Sequence, residues 1–164
     1  ATGLQLLAFG DANFSVDGPP VPTESLVAYR AMMANRLPNF SYTIGYLNQS
    51  WTLRADMTSR YLVQLWKDMD SRGEQWACPV LPAGEPADLP LLEMSSGYIQ
   101  RSVGTLPRQA AGDPWRMEHD YIKERRTYTS ADNTHDMAFG VEALEAAAPL
   151  AAGEGGGGAA ELRV

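Results

Sequence analysis

The stretch Gly45-Tyr46-Leu47-Asn48-Gln49-Ser50-Trp51-Thr52-Leu53-Arg54-Ala55-Asp56 carries the reading of the fold. Upstream, Phe40, Tyr42, Ile44 and Tyr46 alternate with Ser41, Thr43 and Gly45, the period-two pattern of a strand with one apolar face. Downstream, from Thr52 to Arg72, Leu53, Met57, Tyr61, Leu62, Leu65, Trp66 and Met69 recur at helical spacing, with Arg54, Asp56, Arg60, Lys67 and Asp68 largely between them. The quoted residues are therefore read as a tight strand-to-helix junction. Asn48 or Ser50 is placed to cap the helix start, and Gly73 supplies the left-handed residue that commonly ends a helix. The first N–H groups of such a helix lack partners within it, and its dipole adds partial positive charge, so the junction favours an electron-rich or anionic ligand. Trp51, in the first turn, is positioned to pack against a planar ring or to act as a hydrophobic staple.

Working outward, residues 4–9 are apolar enough for a strand. Asp17-Gly18, between Phe14-Ser15-Val16 and Val21, is a hairpin-turn signal that predicts a short β-excursion. Residues 26–33 fit either a strand or a helical turn, since periodicity does not arbitrate over so few positions. Pro79, Pro82, Gly84, Pro86 and Pro90 predict an exposed loop across 79–90. A short helix is expected around Tyr98 to Val103, a helix or turn start at Asp113-Pro114-Trp115, and a second short helix containing Tyr121, Ile122, Arg125 and Arg126. From about Val141 the composition narrows to alanine, glycine and glutamate, which reads as a low-complexity, disordered tail over 141–164.

The 164 residues, 45% of them hydrophobic, suffice for one domain with a sizeable core. A formal charge of −7 argues against nonspecific nucleic-acid binding, which needs Lys and Arg to neutralise phosphates. Cys78 is the only cysteine, so no internal disulfide forms, and its surroundings lack CxxC spacing; a reduced intracellular thiol is the plain reading. No apolar run reaches the ~20 residues a bilayer span needs, and no basic segment followed by an apolar run opens the sequence, so a cytoplasmic location is expected. Ala1-Thr2-Gly3-Leu4 reads as the end of a buried strand, which suggests a fragment of a longer protein.

Other motifs fail their contextual tests. Gly153, Gly155 and Gly158 satisfy GxGxxG, but no strand precedes them and too little chain follows to hold phosphates. His119 and His135, with Ser95, Ser96 or Ser102 as conceivable partners, show neither GxSxG nor HExxH spacing, and surface or helix-end roles are expected. Arg108, Arg116, Lys123, Arg125 and Arg126 are able to bind a phosphate or an acidic subunit surface, although a solvated basic face is the favoured reading, and Trp66 reads as a core residue.

An ordered series resembles the C-terminal portion of the class B flavin-dependent monooxygenases, especially the Baeyer–Villiger, ethionamide-activating type. It comprises Ala1-Thr2-Gly3-Leu4, the Phe9-to-Gly18 excursion, Tyr29-Arg30-Ala31-Met32-Met33, Leu37-Pro38-Asn39, the junction 45–56, Gly97-Tyr98 and Asp113-Pro114-Trp115-Arg116, and covers about residues 1–128. The resemblance implies an α/β fold: the C-terminal part of a flavoprotein with two dinucleotide-binding domains. Residues 1–112 would then close the FAD-binding domain, and 113–140 would form a C-terminal helical extension. It further implies FAD and NADPH as cofactors, with Asn48, Gln49, Ser50, Trp51, Thr52 and Leu53 near the flavin. Small ketone or thio-compound substrates and a possible homo-oligomer are implied as well. The family's FAD fingerprint, its FxGxxxHxxx signature, its second nucleotide fingerprint and its catalytic arginine do not occur in this sequence, so the chain alone is expected to be inactive. A non-enzymatic interaction module, or part of another flavoprotein reductase, is the alternative.

Overall fold

The computed structural model describes residues 6–130 and 134–141. Ala1-Thr2-Gly3-Leu4, the GxGxxG match and the Ala/Gly-rich segment after Val141 lie outside the described residues. The described chain mixes helix and strand, as expected. Its ladders are four two-stranded antiparallel pairs, and the one parallel pairing among them is an isolated bridge between Val27 and Arg108.

The first pair joins β1 (Phe14–Ser15) to β2 (Pro20–Val21). Its turn is the one predicted: Asp17 and Gly18 have φ of 53° and 108°, and the Val16 N–H donates to Pro19 O at 3.2 Å. Two positive φ values give the turn a twist that matches the flanking strands. Residues 26–33, open between strand and helix, form most of a second hairpin, β3 (Ala28–Tyr29) with β4 (Met33–Ala34). Its tip places Arg30 and Ala31 at φ 50° and 51°, a left-handed conformation costing an ordinary residue roughly 1–2 kcal/mol. The surroundings hold it there. The Arg30 N–H donates to Pro114 O at 2.7 Å, the Met32 N–H to Tyr29 O at 3.0 Å, and the Tyr128 hydroxyl to Arg30 O at 2.9 Å. The Arg30 guanidinium is buried among the rings of Tyr29, Tyr61 and Tyr128, at 5.4, 5.9 and 5.0 Å from their centres.

Two expected strands are absent as ladders. Among the described part of 4–9, Ala8–Asp11 forms a 3-10 turn, because Phe9 and Gly10 adopt left-handed φ of 52° and 69° that no extended strand accepts. Phe9 instead packs edge-on against Phe14, Phe40 and Tyr42 at 5.5, 5.2 and 5.0 Å. Residues 40–46 keep the alternation, with Phe40, Tyr42 and Ile44 half-buried and Ser41 and Thr43 exposed, but pair only through a bridge from Ser41 to Met33 and the Tyr42 N–H to Met32 O at 2.9 Å. The period reports burial against this aromatic group rather than membership of a sheet, because β4 ends after two residues.

The long helix α1 spans Trp51–Arg72, and Gly73 closes it at φ 69°, its N–H donating to the Asp70 and Met69 carbonyls. The buried face is Arg54, Met57, Thr58, Tyr61, Leu65 and Met69. Trp66, expected in the core, is 59% exposed because it lies roughly 100° around the helix from Leu65, off the edge of this row. Arg54, read as lying between the apolar positions, is fully buried.

β5 (Trp76–Pro79) follows. On one side it accepts Asn39, which donates its backbone N–H to Ala77 O at 2.9 Å and takes the Ala77 N–H on its side-chain oxygen at 3.0 Å. On the other it pairs antiparallel with β8 (Met137–Gly140). Of the loop expected over 79–90, Val80–Asp88 has no regular element, but its ends are paired: Pro79 closes β5, and β6 (Leu89–Pro90) pairs with β7 (Arg108–Gln109). Between them α2 (Gly97–Ser102) continues into a 3-10 turn over Val103–Thr105, as expected. Asp113-Pro114-Trp115 is a turn, with the Trp115 N–H on Gly112 O at 2.8 Å. α3 (Tyr121–Ser130) is the predicted second short helix. The segment 113–140 therefore holds one helix and also β8, a strand that sequence periodicity did not reveal over four residues. The main core joins Tyr29, Met32, Met33, Tyr46, Tyr61, Leu65, Ala110, Trp115 and Tyr128, so hairpin, α1 and α3 share one interior.

Candidate functional site

The junction sits where the starts of α1 and α3 come together. Gly45 and Tyr46 are buried, whereas Leu47, Asn48, Gln49, Ser50, Trp51 and Thr52 are exposed and Leu53 is half-buried. A side-chain carbon on Gly45 would run into the Trp51 indole, so the absence of a side chain there is what lets the ring lie over the backbone. Trp51 is nonetheless 61% exposed, leaving much of its surface open.

Ser50 occupies the cap position, but no side chain caps α1. Its hydroxyl is engaged with Thr52 Oγ1 at 2.7 Å, and its carbonyl accepts the Leu53 N–H at 3.2 Å. The expected capping by Asn48 or Ser50 is thus corrected, and among the described residues no side chain caps the backbone N–H groups at the helix start. The loop instead docks on the entrance to α3. Gln49 Oε1 accepts the Tyr121 N–H at 3.3 Å, and His119 Nδ1 faces the Leu47 N–H at 3.4 Å. Asp120 caps α3, its carboxylate accepting the Lys123 N–H at 3.0 Å.

Behind the exposed turn lies a polar group that the sequence reading missed. Arg54 Nη2 donates to Glu124 Oε1 and Oε2 at 2.7 and 2.6 Å, with both side chains essentially removed from water. The Tyr46 hydroxyl donates to Glu124 Oε2 at 2.5 Å, and the Glu118 N–H to Oε1 at 3.1 Å. The Arg54 guanidinium also stacks on the Tyr46 ring at 4.2 Å. Burial, and next the bond to Glu124, hold the Tyr46 phenol well above its ordinary range, so it remains a donor. Burial, and next the Arg54 charge, push the His119 imidazole below its ordinary value, which favours its neutral form. A signal for the cluster was present. Arg54 is three, seven and eleven residues before Met57, Tyr61 and Leu65, which places it on the buried row of α1.

The remaining candidates take ordinary places. His135 is exposed beside Asp136 at 3.3 Å. Arg116 and Lys123 pair with Glu93 and Glu118, each at 2.8 Å, on the surface. Cys78 is free and buried, its thiol pushed up to about 11 by burial. Among the described residues no cluster of three or more His, Cys, Asp or Glu could hold a metal, and no helix is long and apolar enough to cross a membrane.

The chain is 38% identical over 126 residues to the FAD-containing monooxygenase EthA of Mycobacterium tuberculosis, a match covering 77% of this chain and 26% of that protein. The chain matches a segment of FAD-containing monooxygenases. It is likewise 32% identical over 126 residues to EthA of Mycolicibacterium smegmatis, with 77% of this chain and 26% of the relative covered. With the "Probable FAD-binding monooxygenase AlmA" of an Acinetobacter species the identity is 33% over 132 residues, 80% of this chain and 27% of the relative. The chain spans about a quarter of the length of the curated relatives it matches. No protein-family model matches the chain, and no solved structure does.

Proposed function

We propose that this chain is the C-terminal part of an NADPH- and FAD-dependent monooxygenase of the Baeyer–Villiger type, which inserts one oxygen atom into a ketone or oxidises a soft sulfur or nitrogen centre. The observation that carries the reading is the identity of 32–38% to relatives that all bear the name of FAD monooxygenases. In this reading Asn48, Gln49, Ser50, Trp51, Thr52 and Leu53 lie beside the flavin, residues 1–112 complete the FAD-binding domain and 113–140 extend it. The complete protein acts on small molecules in the cytoplasm.

The junction suits a flavin in its donor chemistry. A 22-residue helix begins there without a side-chain cap, behind an exposed turn and an indole held over Gly45. FAD and NADPH, when bound, supply the redox and oxygen-transfer chemistry. The residues of this chain supply position and field: the α1 start favours negative charge on a neighbouring ring system, and the docked loop fixes where that field points.

The test uses the full-length protein. Asn48→Leu or Ser50→Leu puts a bulky apolar side chain at the turn and lowers the flavin absorbance that survives purification several-fold, whereas Ser71→Leu on the far end of α1 leaves it unchanged. Equal flavin content in all three variants overturns the placement, and a colourless wild-type protein overturns the flavoprotein reading itself.

A further inference from the structure

We propose that Glu124 is a positioning residue for the flavin-facing turn, holding that turn from behind and cancelling the charge of Arg54 beneath it. The proposal rests on the flavin-proximal reading of residues 48–53. Its ground is geometric. One carboxylate gathers four hydrogen bonds from three places in the chain: two from Arg54, in the first turn of α1; one from Tyr46, just before the exposed loop; and one from the backbone of Glu118, at the entrance to α3. The loop 47–50 is therefore clasped on both flanks by a single side chain contributed from a helix some seventy residues later, as the separations of 70 and 78 positions record.

The charge balance is as specific as the clasp. Glu124 is the carboxylate that pairs with Arg54, and the buried guanidinium Nε and Nη1 have no hydrogen-bond partner among the described residues. With the Glu124 carboxylate against Arg54, the positive end presented to a ligand comes from the helix start. With a neutral glutamine in its place, a buried guanidinium adds an uncompensated charge directly behind it, in surroundings where screening by water is weak. A flavin beside that turn gains electrons when reduced, so an added positive charge makes its reduced form easier to reach.

The experiment compares full-length, FAD-loaded variants by flavin dissociation constant and by flavin midpoint potential in a dye-equilibrated spectral titration. Glu124→Gln keeps the shape and removes the charge; it is expected to weaken FAD binding on the order of tenfold and to raise the potential. The double variant Arg54→Met with Glu124→Gln removes both charges, and the potential returns toward the wild-type value while FAD binding stays weakened. Tyr46→Phe removes one bond and no charge; it loosens the clasp behind the turn and weakens FAD binding several-fold, with the potential unmoved. A folded Glu124→Gln protein with wild-type affinity and potential overturns the proposal. Should Glu124→Gln fail to fold, Tyr46→Phe decides, and unchanged affinity there overturns it. If Asn48→Leu and Ser50→Leu lose flavin while Glu124 and Tyr46 variants do not, the positioning role falls and the flavin placement stands. If none of them loses flavin, both fall.

Discussion

A single missing side chain shapes the junction. Gly45 has no carbon to offer where the Trp51 indole lies, so Gly45→Ala forces the ring away and strains the turn by about 1–3 kcal/mol. The expected outcome is a red-shifted tryptophan emission and a lower urea midpoint, together with weaker flavin retention in the full-length protein. His119 gives the same region a pH response. Burial and Arg54 depress its folded-state value below 6.5, so the folded protein binds fewer protons than the unfolded one in that range. Its contribution is fully present above pH 6.5 and is lost as the pH falls through the depressed value. Comparing urea midpoints at about pH 7.5 and about pH 5, the drop is expected to be smaller in His119→Gln than in the wild type. Neither residue was legible as such in the sequence. Glycine before a tryptophan six positions on has no periodic signature, and a histidine's partners lie far away in the chain. Arg54 is the instructive case, since its charge argued for the surface while its spacing to Met57 and Tyr61 argued for the interior, and the spacing was right because Glu124 meets it there.

At the scale of elements, α1 was the most legible. Its spacing, its length and Gly73 all point to one helix, and its observed bounds differ from the expected ones by a single residue at the start. What the spacing could not resolve was the width of the buried face. Leu65 is 2% exposed and Trp66 59%, although both are large and apolar neighbours. Leu65→Ala is expected to cost about 2–5 kcal/mol by leaving a cavity, while Trp66→Gln stays within about 0.5 kcal/mol; chemical denaturation of the two variants side by side checks the contrast. The hairpins were readable where turn chemistry announced them, as at Asp17-Gly18, and unreadable at Arg30-Ala31, where ordinary residues occupy left-handed positions held by bonds from Pro114 and Tyr128. The candidate site followed the same division. The exposed turn could be placed from local pattern, but the clasp behind it depends on α3, which only the tertiary arrangement brings near.

Across the whole molecule, the described chain closes through pairings between distant segments rather than through one continuous sheet. β5 takes Asn39 on one side and β8 on the other, with Trp76 opposite Gly140, and a side chain on Gly140 would meet the Trp76 indole. Ending the protein before Met137 strips β5 of that partner and uncovers Ala77 and Cys78. The expected result is a lower melting temperature and rapid cleavage within 73–90 under limited proteolysis, and a truncated protein as resistant as the intact one would contradict it. The antiparallel pair also sets a timetable for synthesis. A ribosome delivers Trp76–Pro79 long before Met137–Gly140, and the cost of closing so wide a loop has to be met before the pairing returns anything. Throughout that interval the edge of β5 that β8 will cover stays open, although Asn39 already holds the opposite side, and an unpaired edge of this kind invites pairing with another chain.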